Sequence, residues 1–221
     1  MGKKIFHIIE STATGTLSAM RGLANSQCNE GNEVYVIYSI RPDTPKNLSN
    51  YFNSNIRLIN IQMSSFLEIL ISFIKIFKLI NQQKPQYIFL ASSSAGFIGR
   101  VVGLFVSKKI LFFYIPHCIS YIRQDIGKIK KIIFIFLELI ASLKKCVIIA
   151  CSKSELIQIK KYIKSSTSLL VENAVAPQYV NLKLNIIRKR NVVTVGGIRA
   201  QKDPENFAEI AKEIIKQDNT I

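Results

Sequence analysis

Short, nearly continuous apolar runs alternate along the chain with longer stretches of helical periodicity. The runs are rich in β-branched and aromatic residues, which is typical of parallel strands covered on both faces. Strands are predicted at residues 4–9, 34–39, 56–61, 87–91, 110–115, 146–150, 169–172 and 192–195. Helices are predicted at residues 17–29, 66–82, 95–106, 128–144, 152–164 and 204–216. This alternation predicts an α/β fold with a parallel sheet.

The order of these elements predicts two domains of unequal length. Residues 1–175 hold seven of the strands and would form one doubly wound, Rossmann-like domain. Residues 176–190 are polar and basic without clear periodicity, as in a linker. Residues 191–221 contain a single strand–Gly–Gly–loop–helix unit. Because one such unit cannot bury its own faces, we expect a second domain that is truncated or completed by another chain.

Charge and composition narrow the class of protein. The 221 residues carry 30 basic and 14 acidic side chains, a net charge of +16 that favours anionic partners such as nucleic acid, anionic lipid or phosphorylated substrates. No basic cluster is interleaved with aromatic residues, so nucleic acid is not expected. The four cysteines lack zinc-ligand spacing, and a reducing cytoplasm fits them. Cys146 and Cys151 flank an apolar run and are expected to be buried thiols.

Two apolar helical stretches are candidates for contact with a membrane. The longest apolar run, residues 132–143, is interrupted by Glu138 and is much shorter than the span of about 20 residues that crosses a bilayer. Residues 126–145 combine an apolar face with flanking lysines and would suit an anionic headgroup layer. The alternative is a core helix with basic ends. Residues 66–80 present the same choice, and their narrow polar stripe favours burial.

The strongest candidate for ligand chemistry begins at the last predicted strand. It turns at Gly196 and Gly197, and two cations, Arg199 and Lys202, precede a helix that Asp203 would cap. Glycines allow a ligand to approach the backbone, and helix N-termini attract anions, so the segment is suited to a diphosphate. The alternative is an ordinary strand-to-helix turn with two solvated cations.

The spacing from Gly196 to Lys202 and Phe207 resembles the segment that opens the second domain of family 4 glycosyltransferases. These are retaining enzymes of the two-Rossmann GT-B architecture. The resemblance implies that Gly196, Gly197, Arg199 and Lys202 hold the diphosphate of a nucleotide-sugar donor. A Glu-x7-Glu pair, Glu205 and Glu213, has the form of another motif of this family but lies too early in the chain, so both are expected to face solvent.

Other segments resemble the family in the expected order. Residues 4–16 are similar to its first strand and glycine loop, which implies that Gly15 and Thr16 lie near donor and acceptor. Tyr114-Ile-Pro-His117 resembles the strand end that presents an active-site histidine, so the resemblance implies a catalytic role for His117. A neutral imidazole there would hydrogen-bond a sugar hydroxyl. The alternative is that His117 is a loop histidine without a functional role.

The resemblance implies transfer of a sugar, with retention, from a nucleotide-sugar to a lipid-linked or glycan acceptor in the synthesis of a surface polysaccharide such as O-antigen or capsule. No metal or other cofactor is implied, since the chain has no Asp-x-Asp motif. The expected location is cytoplasmic, with the inner face of the plasma membrane as a second possibility. The competing hypotheses are an enzyme fragment, one half of a two-chain enzyme, a non-catalytic binding module and an unrelated dinucleotide-binding protein. The last lacks its Gly-x-Gly-x-x-Gly after the first strand.

Overall fold

A single parallel sheet organises the first part of the chain. The computed structural model describes residues 2–163, 167–174, 192–196 and 203–217. Seven strands pair in the order β3-β2-β1-β4-β5-β6-β7, and every pairing is parallel. This confirms the α/β class predicted from the apolar runs. The strands are β1 Lys4–Ile9, β2 Glu33–Tyr38, β3 Arg57–Asn60, β4 Tyr87–Ala91, β5 Leu111–Ile115, β6 Val147–Ala150 and β7 Thr167–Leu170.

Helices connect the strands and cover both faces of the sheet. They are α1 Thr14–Asn29, α2 Phe66–Gln83, α3 Ser93–Gly103, α4 Lys128–Ala141, α5 Lys153–Tyr162 and α6 Pro204–Gln217, with 3-10 turns at Leu48–Tyr51 and Ser120–Ile122. On one face α1 packs Leu17, Met20 and Ala24 against the sheet. On the other face α2, α3 and α5 bury a separate apolar cluster, against which α4 also packs. The strands are therefore apolar on both sides, as parallel strands need to be.

The close approach of α3 to the sheet depends on two glycines. A Cβ atom at Gly96 would collide with the ring of Tyr114, and one at Gly99 would collide with Leu90. Both glycines therefore allow the helix to lie directly on β4 and β5. The helix begins at Ser93, earlier than predicted, because the Ser92 side chain accepts a hydrogen bond from the Ala95 amide at 3.5 Å and caps it.

The expectation that residues 66–80 are buried is wrong for one side of α2. Ser72, Ile76 and Ile80 are buried, but Phe66 on the outer side is 78% exposed. In α4 the side chains of Glu138 and Ala141 are buried, whereas Ile129 is 76% exposed. Each helix therefore has a core face and an apolar outer face. Among the described residues, no helix is both long enough and apolar enough to cross a bilayer.

The chain divides into two compact units. The first comprises Met1–Arg123 and Lys128–Ala174, and the second comprises Gln124–Gly127 and Val175–Ile221. The linker predicted at residues 176–190 lies outside the described residues, so the domain boundaries remain predictions.

Within the second unit, the helix start is confirmed and the strand is not. The Asp203 carboxylate accepts a hydrogen bond from the Asn206 amide at 3.3 Å, so Asp203 caps α6 as predicted. Glu205 and Glu213 are solvent-exposed, also as predicted. Residues 192–196 form no strand in the part of the chain that is described, and Val195 is exposed. A strand is stabilised by pairing with a neighbour, and no described residues supply one here.

Candidate active site at the carboxyl edge of the sheet

Polar side chains gather where the central strands end. The strand order reverses between β1 and β4, and open α/β sheets bind ligands beyond the carboxyl ends of strands at such a switch point. Glu10 follows β1 and Ser92 follows β4, while the β5 and β6 ends lead to His117 and Cys151. A hydrogen bond of 3.3 Å from the Ser92 amide to the Ile115 carbonyl joins the ends of β4 and β5. We call Glu10, Ser92, His117, Cys151 and Glu155 the edge cluster.

Glu10 is the carboxylate of this edge and was not predicted from the sequence. Its side chain is only 13% exposed. One oxygen lies 3.4 Å from Nη1 of Arg41, and the other accepts a hydrogen bond from the Ser92 hydroxyl at 3.3 Å. Burial raises the pKa of Glu10, while the charge of Arg41 opposes that rise. An acidic residue directly after a buried strand was the signal that would have identified it.

Ser92 adopts an unusual backbone conformation at the switch point. Its φ of 86° is in a region that residues other than glycine rarely occupy. Strain of this kind costs roughly 1–3 kcal/mol and is often found at functional sites. Here the conformation allows one residue to cap α3, bond the β5 end and donate to Glu10. Ser92 thus fixes the position of the Glu10 carboxylate relative to β5.

His117 lies at the end of β5, as predicted. It is half-buried and has a φ of 52°, and Cys118 after it also has a positive φ. Burial lowers the pKa of His117, so the ring is neutral at pH 7. Its Nδ1 atom lies 3.6 Å from the sulfur of Cys151, and its Nε2 atom is buried with no hydrogen-bond partner among the described residues.

The contact with Cys151 occupies Nδ1 of His117 and leaves Nε2 without a partner among the described residues. Cys151 is half-buried rather than fully buried as expected, and burial together with the charge of Glu155 raises its pKa to about 11. The thiol is therefore protonated and pairs with Nδ1, as donor to one ring tautomer and as acceptor from the other. Nε2 of His117 is left without a partner among the described residues. The same pKa makes Cys151 a poor nucleophile.

Glu155 holds the turn that carries His117. The sequence Ser152-x-x-Glu155 predicts a capping box, and the Ser152 hydroxyl does accept from the Glu155 amide at 3.2 Å. The carboxylate, however, accepts from the amides of Cys151 at 2.9 Å and Cys118 at 3.0 Å. Cys118 directly follows His117, and Cys151 directly precedes the N-cap residue Ser152. The Glu155 carboxylate therefore links the ends of β5 and β6. Sequence reasoning missed this second contact.

The predicted glycine loop is the first turn of α1. Gly15 and Thr16 lie inside the helix, which begins at Thr14, and a side chain at Gly15 would meet open space. Ala13 occupies the N-cap position, and no side chain of the described residues caps this helix. The segment before it is held by Thr12, whose hydroxyl donates to the Ser39 carbonyl at 2.8 Å. The helix N-terminus thus lies at the same edge as Glu10.

The predicted diphosphate site is only partly described. Gly196 is exposed, whereas Gly197, Arg199 and Lys202 lie outside the described residues. Among the described residues, no three histidine, cysteine or acidic side chains are close enough to hold a metal ion. A surface depression of about 490 Å³ shares no residue with the edge cluster, and it is lined by Arg21, Pro45, Lys46, Asn47, Asn50 and Tyr51.

Solved structures with a similar fold include a sucrose-phosphate synthase and a glycosyltransferase. Sucrose-phosphate synthase from Thermosynechococcus elongatus aligns with a TM-score of 0.60 and 14% identity, over 77% of this chain and 48% of that one. A glycosyltransferase from Rickettsia africae aligns with a TM-score of 0.58 and 13% identity, over 96% and 49%. Anabaena Alr3699/HepE, solved with UDP and glucose, aligns with a TM-score of 0.55 and 13% identity, over 80% and 47%.

These similarities show the fold. The chain has the Rossmann-like architecture of one half of GT-B enzymes, and it spans about half the length of the structures it matches. No protein-family model matches the chain. No curated protein sequence matches it either.

Proposed function

We propose that this chain forms the acceptor-side half of a GT-B glycosyltransferase that moves a sugar from a nucleotide-sugar to an acceptor hydroxyl. The observation that carries the proposal is the buried, unpaired Nε2 atom of His117 at the carboxyl edge of a GT-B-like sheet. A buried polar atom without a partner costs about 1–3 kcal/mol, and a sugar hydroxyl, which both donates and accepts, would remove that cost. A ligand reaches the nitrogen once the atoms that cover it move.

Glu10 complements His117 at the same edge. An ionised carboxylate accepts hydrogen bonds from sugar hydroxyls, and its oxygens are positioned by Ser92 and Arg41. We assign Glu10 to binding and orienting the acceptor, and His117 to the transferred sugar. The first turn of α1, with Gly15 and Thr16, would contribute backbone N–H donors to the same ligand.

In this proposal the second unit binds and stabilises the leaving diphosphate. Gly196 and Gly197 would allow close backbone approach, and Arg199 and Lys202 would stabilise the charge that develops as the glycosidic bond breaks. Retention, and a role in surface polysaccharide synthesis, follow from the resemblance to family 4 enzymes. No metal is needed for this charge if both cations are in place.

A second candidate is a partner-dependent half of a two-chain enzyme. The chain aligns with 48% and 49% of two enzyme chains, so the remainder of a GT-B enzyme would have to be supplied outside these residues. In this case the edge cluster binds acceptor and a partner supplies the pocket for the donor.

The test is a transfer assay with a panel of nucleotide-sugars. The purified chain is incubated with each donor, alone and with extract of its own cells, and nucleotide release is measured with the anomeric configuration of the product. Turnover by the chain alone would show that these residues suffice for transfer, turnover that requires the extract supports the second candidate, and donor binding without turnover in either mixture supports the first. Absence of donor binding and of turnover in both mixtures would contradict both.

Matched variants locate the diphosphate site. We expect Arg199→Ala and Lys202→Ala each to lower transfer by about 10²–10³-fold, the effect of removing one preorganised donor to developing charge. Lys212→Ala and Lys216→Ala remove the same charge from exposed positions of α6 and should leave transfer unchanged. Equal rates in all four variants would remove the assignment.

A further inference from the structure

The outer sides of α2 and α4 are apolar and exposed. Phe66 is 78%, Ile129 76% and Phe136 61% exposed. Both helices pack against α3 on the same side of the sheet, and we call their exposed apolar side chains the α2/α4 face. Its apolar members are Phe66, Leu67, Leu70, Ile71, Ile74, Phe77, Ile129, Ile132, Ile133, Phe136 and Leu139. Soluble monomers rarely expose large apolar patches, and such patches commonly mark an interaction surface.

Both helices are fixed with these sides pointing away from the sheet. Each packs against α3, and both contact the same apolar cluster on one face of the sheet. Beneath α4, a salt bridge of 2.7 Å joins Glu138 to Arg100 of α3. Neither helix can turn its apolar side inward without breaking these contacts. The exposure is therefore a feature of the folded state.

The charges along this face are almost all positive. Lys75 and Lys78 are exposed on α2, and Lys128 and Lys130 are exposed at the start of α4, followed by Lys131. The acidic residues of the two helices are already engaged. Glu68 accepts from the Ser65 amide at 2.8 Å in a capping box, and Glu138 is buried. A partner that matches this face would have apolar groups and negative charge.

A lipid bilayer fits this chemistry better than a protein does. Protein interfaces are enriched in Tyr, Trp and Arg and depleted in Lys, whereas this face is made of Ile, Leu, Phe and Lys. A symmetric contact between two copies would bring the lysines of both copies together, which is unfavourable. An anionic bilayer offers headgroup charge to the lysines and acyl chains to the apolar groups.

We propose that the α2/α4 face docks this protein on the surface of an anionic membrane, with the apolar side chains in the headgroup–acyl boundary and the lysines among the headgroups. The contact is peripheral. It does not depend on the proposed transferase activity, because the surface is separate from the edge cluster and its test measures binding alone.

The test is sedimentation of the full chain with vesicles of phosphatidylcholine, either alone or with phosphatidylglycerol as about one third of the lipid. We expect binding to the mixed vesicles and at least about tenfold weaker partitioning to the neutral ones. Exchanging Lys128, Lys130 and Lys131 for Gln should weaken binding to mixed vesicles by about 100-fold, since each lysine near an anionic surface contributes about a factor of five. Ile132→Gln with Phe136→Gln should weaken it by at least about tenfold.

Matched controls lie away from the α2/α4 face. Lys3→Gln, Arg21→Gln and Lys46→Gln together remove the same number of charges from other elements of the first unit. Leu111→Thr with Leu169→Thr removes two exposed apolar side chains from strands. Both controls should bind mixed vesicles like the wild type. Circular dichroism and thermal melting establish that each variant is folded.

Three results would overturn the proposal. The first is no binding to mixed vesicles by the folded wild type. The second is equal weakening by the face variants and their controls, which would indicate non-specific attraction of a basic protein. The third is a concentration-dependent dimer, seen by light scattering, that the Ile132→Gln/Phe136→Gln variant abolishes while vesicle binding is absent. That result would assign the face to a second copy of the chain.

Discussion

Two groups of buried polar side chains, one beneath α4 and one at the carboxyl edge of the sheet, are built in opposite ways. Beneath α4, Arg100 is fully buried and its guanidinium lies 2.7 Å from Glu138, while Tyr114 donates to the same carboxylate at 3.1 Å. At the edge, Glu10 and His117 have fewer and longer contacts. Each group has one buried nitrogen without a partner among the described residues, Nη1 of Arg100 and Nε2 of His117, but only Arg100 also has a counter-ion in direct contact.

This difference distinguishes buried polar groups that stabilise the fold from polar groups that are available to bind a ligand. The charges beneath α4 are opposite, adjacent and excluded from solvent, so each depends on the other for its solvation. The groups at the edge are held by neighbours but keep hydrogen-bonding capacity for a ligand. The same substitution should therefore affect stability at the first group and ligand binding at the second.

The largest expected effect is that of Glu138→Gln. The substitution leaves the buried guanidinium of Arg100 without its counter-ion, because a glutamine side chain matches the shape of glutamate but not its charge. We expect the free energy of unfolding to fall by about 3–5 kcal/mol, the usual cost of breaking a buried pair. Urea denaturation followed by circular dichroism measures this change.

Glu10→Gln is the matched control for that change. It removes the same charge from a carboxylate whose partner, Arg41, is partly exposed and remains solvated. Because burial already raises the pKa of Glu10, losing its charge should change the free energy of unfolding by less than about 1 kcal/mol. Equal destabilisation by the two variants would end the distinction between the two groups.

The next effect concerns His7, a buried residue in the middle of β1. Its Nε2 atom lies 2.7 Å from Oε1 of Gln27, and burial lowers its pKa from 6.5 to about 4. The unfolded chain takes up a proton near pH 6.5 that the folded chain does not accept until about pH 4. The stability is thus intact above about pH 6.5 and falls by about 3 kcal/mol as the pH drops to about 4.

The measurement is the free energy of unfolding at a series of pH values for the wild type and His7→Gln. The variant should lose the part of the slope between about pH 6.5 and 4 that His7 contributes, whatever its absolute stability. His117, whose pKa is also lowered, remains in both proteins and cancels. Parallel curves for the two proteins would show that His7 is protonated in the folded state at higher pH.

The fold was predictable from the sequence because the apolar runs are continuous and evenly spaced. The start of α1 was not, since Thr14, Gly15 and Thr16 are poor helix formers and Ala13 offers no capping oxygen. Apolar residues lie around most of α2, and this pattern predicted that the helix is buried. The pattern alone does not show how much of a helix the sheet and the neighbouring helices cover.

The edge cluster was only partly predictable for a different reason. His117 was identified because it follows a predicted strand and because its segment resembles that of a known family. The contact of Glu155 with the amide of Cys118 joins residues 37 positions apart, and the local Ser-x-x-Glu pattern accounted for the same glutamate without it. Glu10 follows a strand as His117 does, but no motif marked it. Contacts between strand ends depend on strand order, which the sequence pattern leaves open.

The smallest effect comes from His117 itself. Both His117→Ala and His117→Gly remove the imidazole, but only glycine adopts a φ of 52° without cost. We therefore expect the glycine variant to be about 1 kcal/mol more stable than the alanine variant in urea denaturation. Both should bind a nucleotide-sugar up to about tenfold more weakly than the wild type, the value of one hydrogen bond.

This pair of variants tests whether the edge acts through its side chains or its backbone. If Nε2 of His117 binds the ligand, the two variants lose the same affinity although their stabilities differ. If the turn is the binding element, the alanine variant, which strains it, binds more weakly than the glycine variant. If both variants are equally stable and bind the nucleotide-sugar as the wild type does, His117 has no role in ligand binding. Glu10 alone would then distinguish the edge from the cluster beneath α4.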